Sequence, residues 1–80
     1  ESKSYEAKVN RQRAILESDL ARLTNLQQSY DRAQKLYKKG MFAESNLLEI
    51  QSNLNSLKAQ LKADSFLLDQ YLEDLKKTLI

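Results

Sequence analysis

Apolar residues recur every seven positions along this 80-residue chain, and one glycine splits the recurrence in two. Val9, Leu16, Leu23, Tyr30 and Tyr37 form the first run; Leu47, Leu54, Leu61, Leu68 and Leu75 form the second. Between them stands Gly40, the sole glycine of a chain without proline. A seven-residue repeat draws one apolar stripe along a helix, and that stripe must face another helix. With Gly and Pro together reduced to one residue, almost nothing is left from which to build loops. The pattern predicts an all-α fold, a two-helix antiparallel coiled-coil hairpin occupying 1–80.

The boundaries follow from local chemistry. Helix 1 is expected over about 3–39, the turn over about 40–43 and helix 2 over about 44–78. Tyr5, Leu26 and Ala33 accompany the first stripe, although Gln12 and Asp19 interrupt that companion row. Leu20 and Leu36 lie beside the stripe and are expected to widen it. Lys35, Lys38 and Lys39 crowd the last turn, where positive charge offsets the negative end of the helix dipole. Gly40 then supplies the left-handed backbone that commonly ends a helix. In helix 2, Ile50, Leu57 and Tyr71 accompany the leucines, and Asp64 and Thr78 break the row. Helices of about 35 residues rising ~1.5 Å each give a rod of roughly 50 Å. A turn centred near 43–44 would set Ala33 against Leu54, Asp19 against Leu68 and Asp64 against Leu23. The two aspartates are then expected as separate, solvated gaps in the seam, a paired carboxylate site being the other reading. Leu48, Phe66, Leu67, Leu72 and Leu79 fall off the seam and predict a second apolar surface.

Composition narrows the function. There is no Cys and no His, which removes thiol nucleophiles, disulfides and nearly all zinc chemistry. A two-helix rod offers no concave pocket for a substrate, so no catalytic residue, metal site or cofactor is expected, and the chain is not read as an enzyme. The net charge of +2 is too small to imply nucleic acid or an anionic membrane. Its halves differ: nine basic against five acidic residues up to Gly40, four against six after it, which favours the helices pairing. Arg32, Lys35, Lys38 and Lys39, interleaved with Tyr30, Tyr37 and Phe42, would suit a single-strand binder. Lysines at a helix end are ordinary capping charges, however, and both tyrosines belong to the stripe, so no nucleic-acid partner is expected. No stretch of about 18 apolar residues exists, so direct membrane insertion by this segment is not expected either. No signal peptide is visible at Glu1.

The turn itself is unusual. Met41 and Phe42 are apolar residues at the end of a charged rod. Either they fold back as a plug or they are offered to a partner, and exposed apolar residues ringed by charge make a small docking site. This segment resembles the hairpin tip of the bacterial periplasmic adaptor proteins, or membrane fusion proteins, of tripartite efflux pumps and type I secretion systems. Arg32 and Leu36 match the family's spacing of an Arg and a Leu four residues later; Gly40 and Phe42 fit the turn, and Leu47 fits the first seam residue of the returning helix. Leu75-Lys76-Lys77-Thr78-Leu79-Ile80 looks like the family's re-entry into a lipoyl-like β-domain. The resemblance thus covers the whole chain as an excised part of a larger adaptor.

The resemblance implies a noncatalytic hairpin in the periplasm, its full-length protein anchored to the inner membrane. The tip would dock on a TolC-type outer-membrane channel and help to form a sealed export conduit. Neighbouring adaptor protomers would pack beside it, and an inner-membrane transporter would be reached through domains absent here. The docking residues would be Arg32, Leu36, Lys39, Gly40, Met41, Phe42 and Ala43. Arg32 would donate to backbone or carboxylate groups of the channel, and Leu36 would fill an apolar groove. The sequence departs from the family at Ala43, where the pattern has a serine able to cap the second helix. Three readings fit the departure: Ser45 capping a helix that starts further on, a mutation at position 43, or a different partner, as for Gram-positive relatives, which have no outer-membrane channel. An alternative from another class is a structural coiled-coil hairpin that self-associates into a four-helix bundle.

Overall fold

The computed structural model describes residues 2–79; Glu1 and Ile80, the ends of the segments read above for a leader and for β-domain re-entry, lie outside the described residues. Two helices make up the fold: α1, Ser2–Lys38, and α2, Glu44–Lys77. They pack against each other as an antiparallel hairpin measuring 61 × 15 × 13 Å. The rod exceeds the expected length because α1 alone has 37 residues, about 55 Å of helix at 1.5 Å per residue.

The ends of both helices are set by backbone chemistry. Gly40 adopts φ +73°, the left-handed conformation that a side chain resists. Its amide donates to the Tyr37 carbonyl at 3.0 Å, and the Met41 amide donates to the Leu36 carbonyl at 2.8 Å. Those two bonds are the paired pattern of a Schellman cap, which satisfies carbonyls that a helix end otherwise leaves free. At the other end of the rod, the Thr78 hydroxyl donates to the Leu75 carbonyl at 2.7 Å, and Lys76 and Lys77 sit on the dipole's negative end.

The seam is thin and partly polar. Val9, Ala33, Leu47, Leu54 and Leu57 are buried, and so are Gln12 and Asp19. Of the remaining stripe residues, Leu16, Leu23, Tyr30, Leu61, Leu68 and Leu75 are half-buried and Tyr37 is exposed. Two cylinders meet along a line, so only side chains aimed straight at the partner are covered from all sides. Leu20 is one of those that miss: it is 51% exposed and does not widen the seam. Off the seam, Leu48, Phe66 and Leu79 are exposed, while Leu67 and Leu72 are half-buried.

The register differs from the expected one. The Asp19 carboxyl meets that of Asp64 across the seam, so Asp19 does not face Leu68, nor does Asp64 face Leu23. Stepping by seven from that pair sets Leu26 level with Leu57 and Gln12 level with Tyr71; each of these pairs lines a common cleft. Like steps bring Ala33 level with Ile50 rather than Leu54. The cause lies in the turn. The cap closes at Gly40 and Met41, and α2 begins at Glu44, so the chain reverses about Met41 instead of near 43–44. The two aspartates consequently form one feature of the seam, Asp19 buried and Asp64 half-buried, and not two solvated gaps.

Candidate functional site

The tip residues are positioned by the cap. Leu36 supplies the carbonyl and Met41 the amide of its longer bond, which holds the two residues at one end of the rod. Neither side chain is absorbed by the seam: Leu36 is 40% exposed and Met41 70% exposed. Phe42 behaves differently and is half-buried, so the turn's two apolar residues divide the roles considered for them. Phe42 is partly covered, and Met41 is presented to solvent.

Arg32 lies four residues before Leu36, on the same face of α1 and one turn further from the tip. It is exposed, and its Nη2 reaches Ser29 Oγ at 3.4 Å, a long contact within its own helix. A guanidinium carries five donors in a planar fork, so ample hydrogen-bonding capacity faces outward. Lys39, Gly40 and Ala43 are exposed around the turn. Arg32 and Leu36 thus share one face of α1, and Met41 follows at the end of the rod, a cationic fork and two exposed apolar side chains.

The two sides of the turn are tied by one side-chain contact. The Tyr37 hydroxyl donates to Glu44 Oε2 at 3.1 Å, joining the last turn of α1 to the first residue of α2. This bond, and then the negative charge of Glu44, push the Tyr37 phenol above its ordinary range. Tyr37 belongs to the heptad stripe, yet it is 38% exposed, because the stripe runs out where the helices part.

Ala43 is the N-cap of α2, with φ −69° and ψ 136° and no side-chain cap bond. Its carbonyl still accepts from the Asn46 and Leu47 amides, both at 3.1 Å. Ser45 lies inside the helix, so the shifted cap considered for it does not occur. Glu44, in the first turn, supplies negative charge to the dipole's positive end.

A second constellation, Gln12, Asp19, Gln60 and Asp64, sits midway along the rod. Gln12 Nε2 donates to the Asp64 carbonyl at 2.9 Å, and Gln60 Nε2 reaches both Asp64 carboxyl oxygens at 3.2 and 3.3 Å. Only the misplaced turn centre hid this grouping, since all four positions are plain in the sequence. Among the described residues, no three or more His, Cys, Asp or Glu side chains converge so as to hold a metal ion, and no helix is long and apolar enough to cross a membrane. No protein-family model matches the chain, and neither a curated protein nor a solved structure matches it.

Proposed function

We propose that this chain is the noncatalytic α-hairpin of a periplasmic adaptor, serving a tripartite efflux pump or a type I secretion system. It docks by its tip on an outer-membrane channel and helps to seal an export conduit. The observation that carries this reading is the exposure of Leu36 and Met41 at the very end of the rod. A hairpin that needed its tip only for turning would bury those side chains or use polar ones there. Arg32, exposed on the same face, adds a directional donor to the apolar spot. In this role Leu36 and Met41 enter an apolar groove on the channel, and Arg32 bonds to carbonyl or carboxylate groups at its rim. Lys39, Gly40, Phe42 and Ala43 shape the surface around them. The full-length protein is held at the inner membrane in the periplasm, beside other adaptor protomers and a transporter.

The test is export by the full-length adaptor carrying Arg32→Ala or Leu36→Ala. Loss of export with unchanged helicity and expression supports docking; full export by both variants overturns it. A second reading, self-association into a four-helix bundle, is favoured by the exposed Leu48, Phe66 and Leu79. Sedimentation of the 80-residue chain separates the two, because a bundle is a stable dimer whose association is lost on Phe66→Ser and untouched by Leu36→Ala.

A further inference from the structure

We propose that Asp19 and Asp64 hold a single proton between them, and that this proton latches the two helices together at the middle of the hairpin. The inference is independent of docking at the tip. It rests first on burial and geometry. Asp19 is 4% exposed, and its Oδ2 is buried without any hydrogen-bond donor to satisfy it. The group it meets across the seam is another carboxyl, that of Asp64. Two ionised carboxylates in contact repel, and a buried anionic oxygen lacking a donor is costly. One proton removes both problems: Oδ2 of Asp19 becomes a donor, and Asp64 becomes its acceptor.

The surroundings decide which carboxyl keeps the proton. From α2, Gln60 donates to both carboxyl oxygens of Asp64, and from α1, Gln12 holds the Asp64 backbone carbonyl. Asp64 is therefore the partner suited to remain ionised. Lys8 and Arg11 of α1 line the cleft of about 190 Å³ beside Asp64, adding positive charge on the same side. Facing Asp19, Arg22 of α1 favours ionisation, against the larger opposing influence of Asp64. The asymmetry appears in both groups. The hydrogen bond to Asp64, then burial, raises Asp19 above the ordinary carboxylate range; the bonds from Asp19 and then Gln60 lower Asp64 below it.

The signs give a stability optimum in mild acid. Asp19 is raised, so its contribution is complete below the ordinary carboxylate range and is lost as pH rises through its higher value. Asp64 is lowered, so its contribution is present above that range and is lost as pH falls through its lower value. Between the two, the pair carries one proton and the latch is closed. Above the upper value both carboxylates are ionised and the mid-seam loosens, while the cap at Gly40 is untouched.

The experiment uses the 80-residue chain itself. Carboxyl-carbon NMR on the unmodified protein is expected to show Asp19 titrating above, and Asp64 below, the ordinary range. The thermal midpoint from circular dichroism should fall by several degrees as pH rises through the raised Asp19 value, and this fall should be much reduced in Asp19→Asn, whose amide donates at every pH. Two aspartates titrating together in the ordinary range overturn the proposal, as does an Asp19→Asn profile parallel to that of the unmodified chain. Magnesium or calcium at neutral pH provides a third arm. If either raises the midpoint of the unmodified chain but not of Asp19→Asn, the pair holds a cation and the proton latch is wrong.

Discussion

The amide of Met41 bonds the carbonyl of Leu36 at 2.8 Å, and this one backbone contact both ends α1 and sets two exposed apolar side chains together at the tip. In a Schellman cap the residues that make this bond often touch through their side chains as well. Here the cap therefore brings its own apolar pair to the surface. Leu36→Ala is expected to cost about 1 kcal/mol of stability or less, since much of the side chain is already in water and alanine favours the helix. Circular dichroism and thermal melting check this, and a collapse of helicity would show that Leu36 is a core residue.

Gly40 is where the backbone demands a particular residue. A Cβ at this position meets nothing within 4 Å, so Gly40→Ala introduces no clash with neighbours. Its cost is the left-handed backbone alone, roughly 1–2 kcal/mol for an L-residue. For a domain of this size, the expected fall in thermal midpoint is about 4–8 °C per kcal/mol. Gly40→Asn, which tolerates the left-handed region better, should lose less.

Ala43→Ser should stabilise the hairpin. Ala43 already has the extended backbone of an N-cap, and a serine hydroxyl there would accept from an amide of the first turn of α2. A gain of about 1 kcal/mol is expected, read as a higher midpoint of urea unfolding. No gain would mean that Glu44 and solvent already satisfy those amides.

Tyr37→Phe removes the bond that ties α1 to Glu44 across the turn. Because the Tyr37 phenol is raised, its contribution is complete at neutral pH and is lost as pH climbs through the raised value. Spectrophotometric titration should show the tyrosine that ionises last disappearing in this variant. Retention of that late phase would place the perturbed phenol elsewhere.

Replacing Asp19 and Asp64 together by leucine should raise the thermal midpoint at neutral pH. The change continues the companion row with residues that pack, and it removes two carboxylates that oppose each other. Apolar replacement of buried charged groups is commonly neutral or stabilising. Asp64→Leu alone should fare worse than the double change, since it leaves Asp19 buried without its acceptor; melting the two variants and the parent side by side decides this.

Much of the architecture was legible in the residues. Five residues at seven-residue spacing on either side of Gly40 require two helices, and the absence of proline and of any second glycine leaves them long. The helix ends follow from the same glycine and its flanking lysines, and α1 and α2 begin and end within about a residue of the positions those signals mark. Met41 and Phe42 were conspicuous as apolar turn residues, but their local chemistry is similar. Their different exposure depends on which way the closing turn throws each side chain.

Sequence alone determined that the chain forms two amphipathic helices, where each stops and which stripe each presents. Tertiary structure alone decided how far one helix slides along the other. A heptad pattern looks the same when shifted, so periodicity cannot choose among neighbouring registers. The choice was made by the cap at Gly40 and Met41, which reverses the chain about Met41 and not near 43–44. That small displacement carried Asp64 from beside Leu23 to beside Asp19. It turned two unremarkable surface gaps into a contact between two carboxyls, with Asp19 buried in the seam.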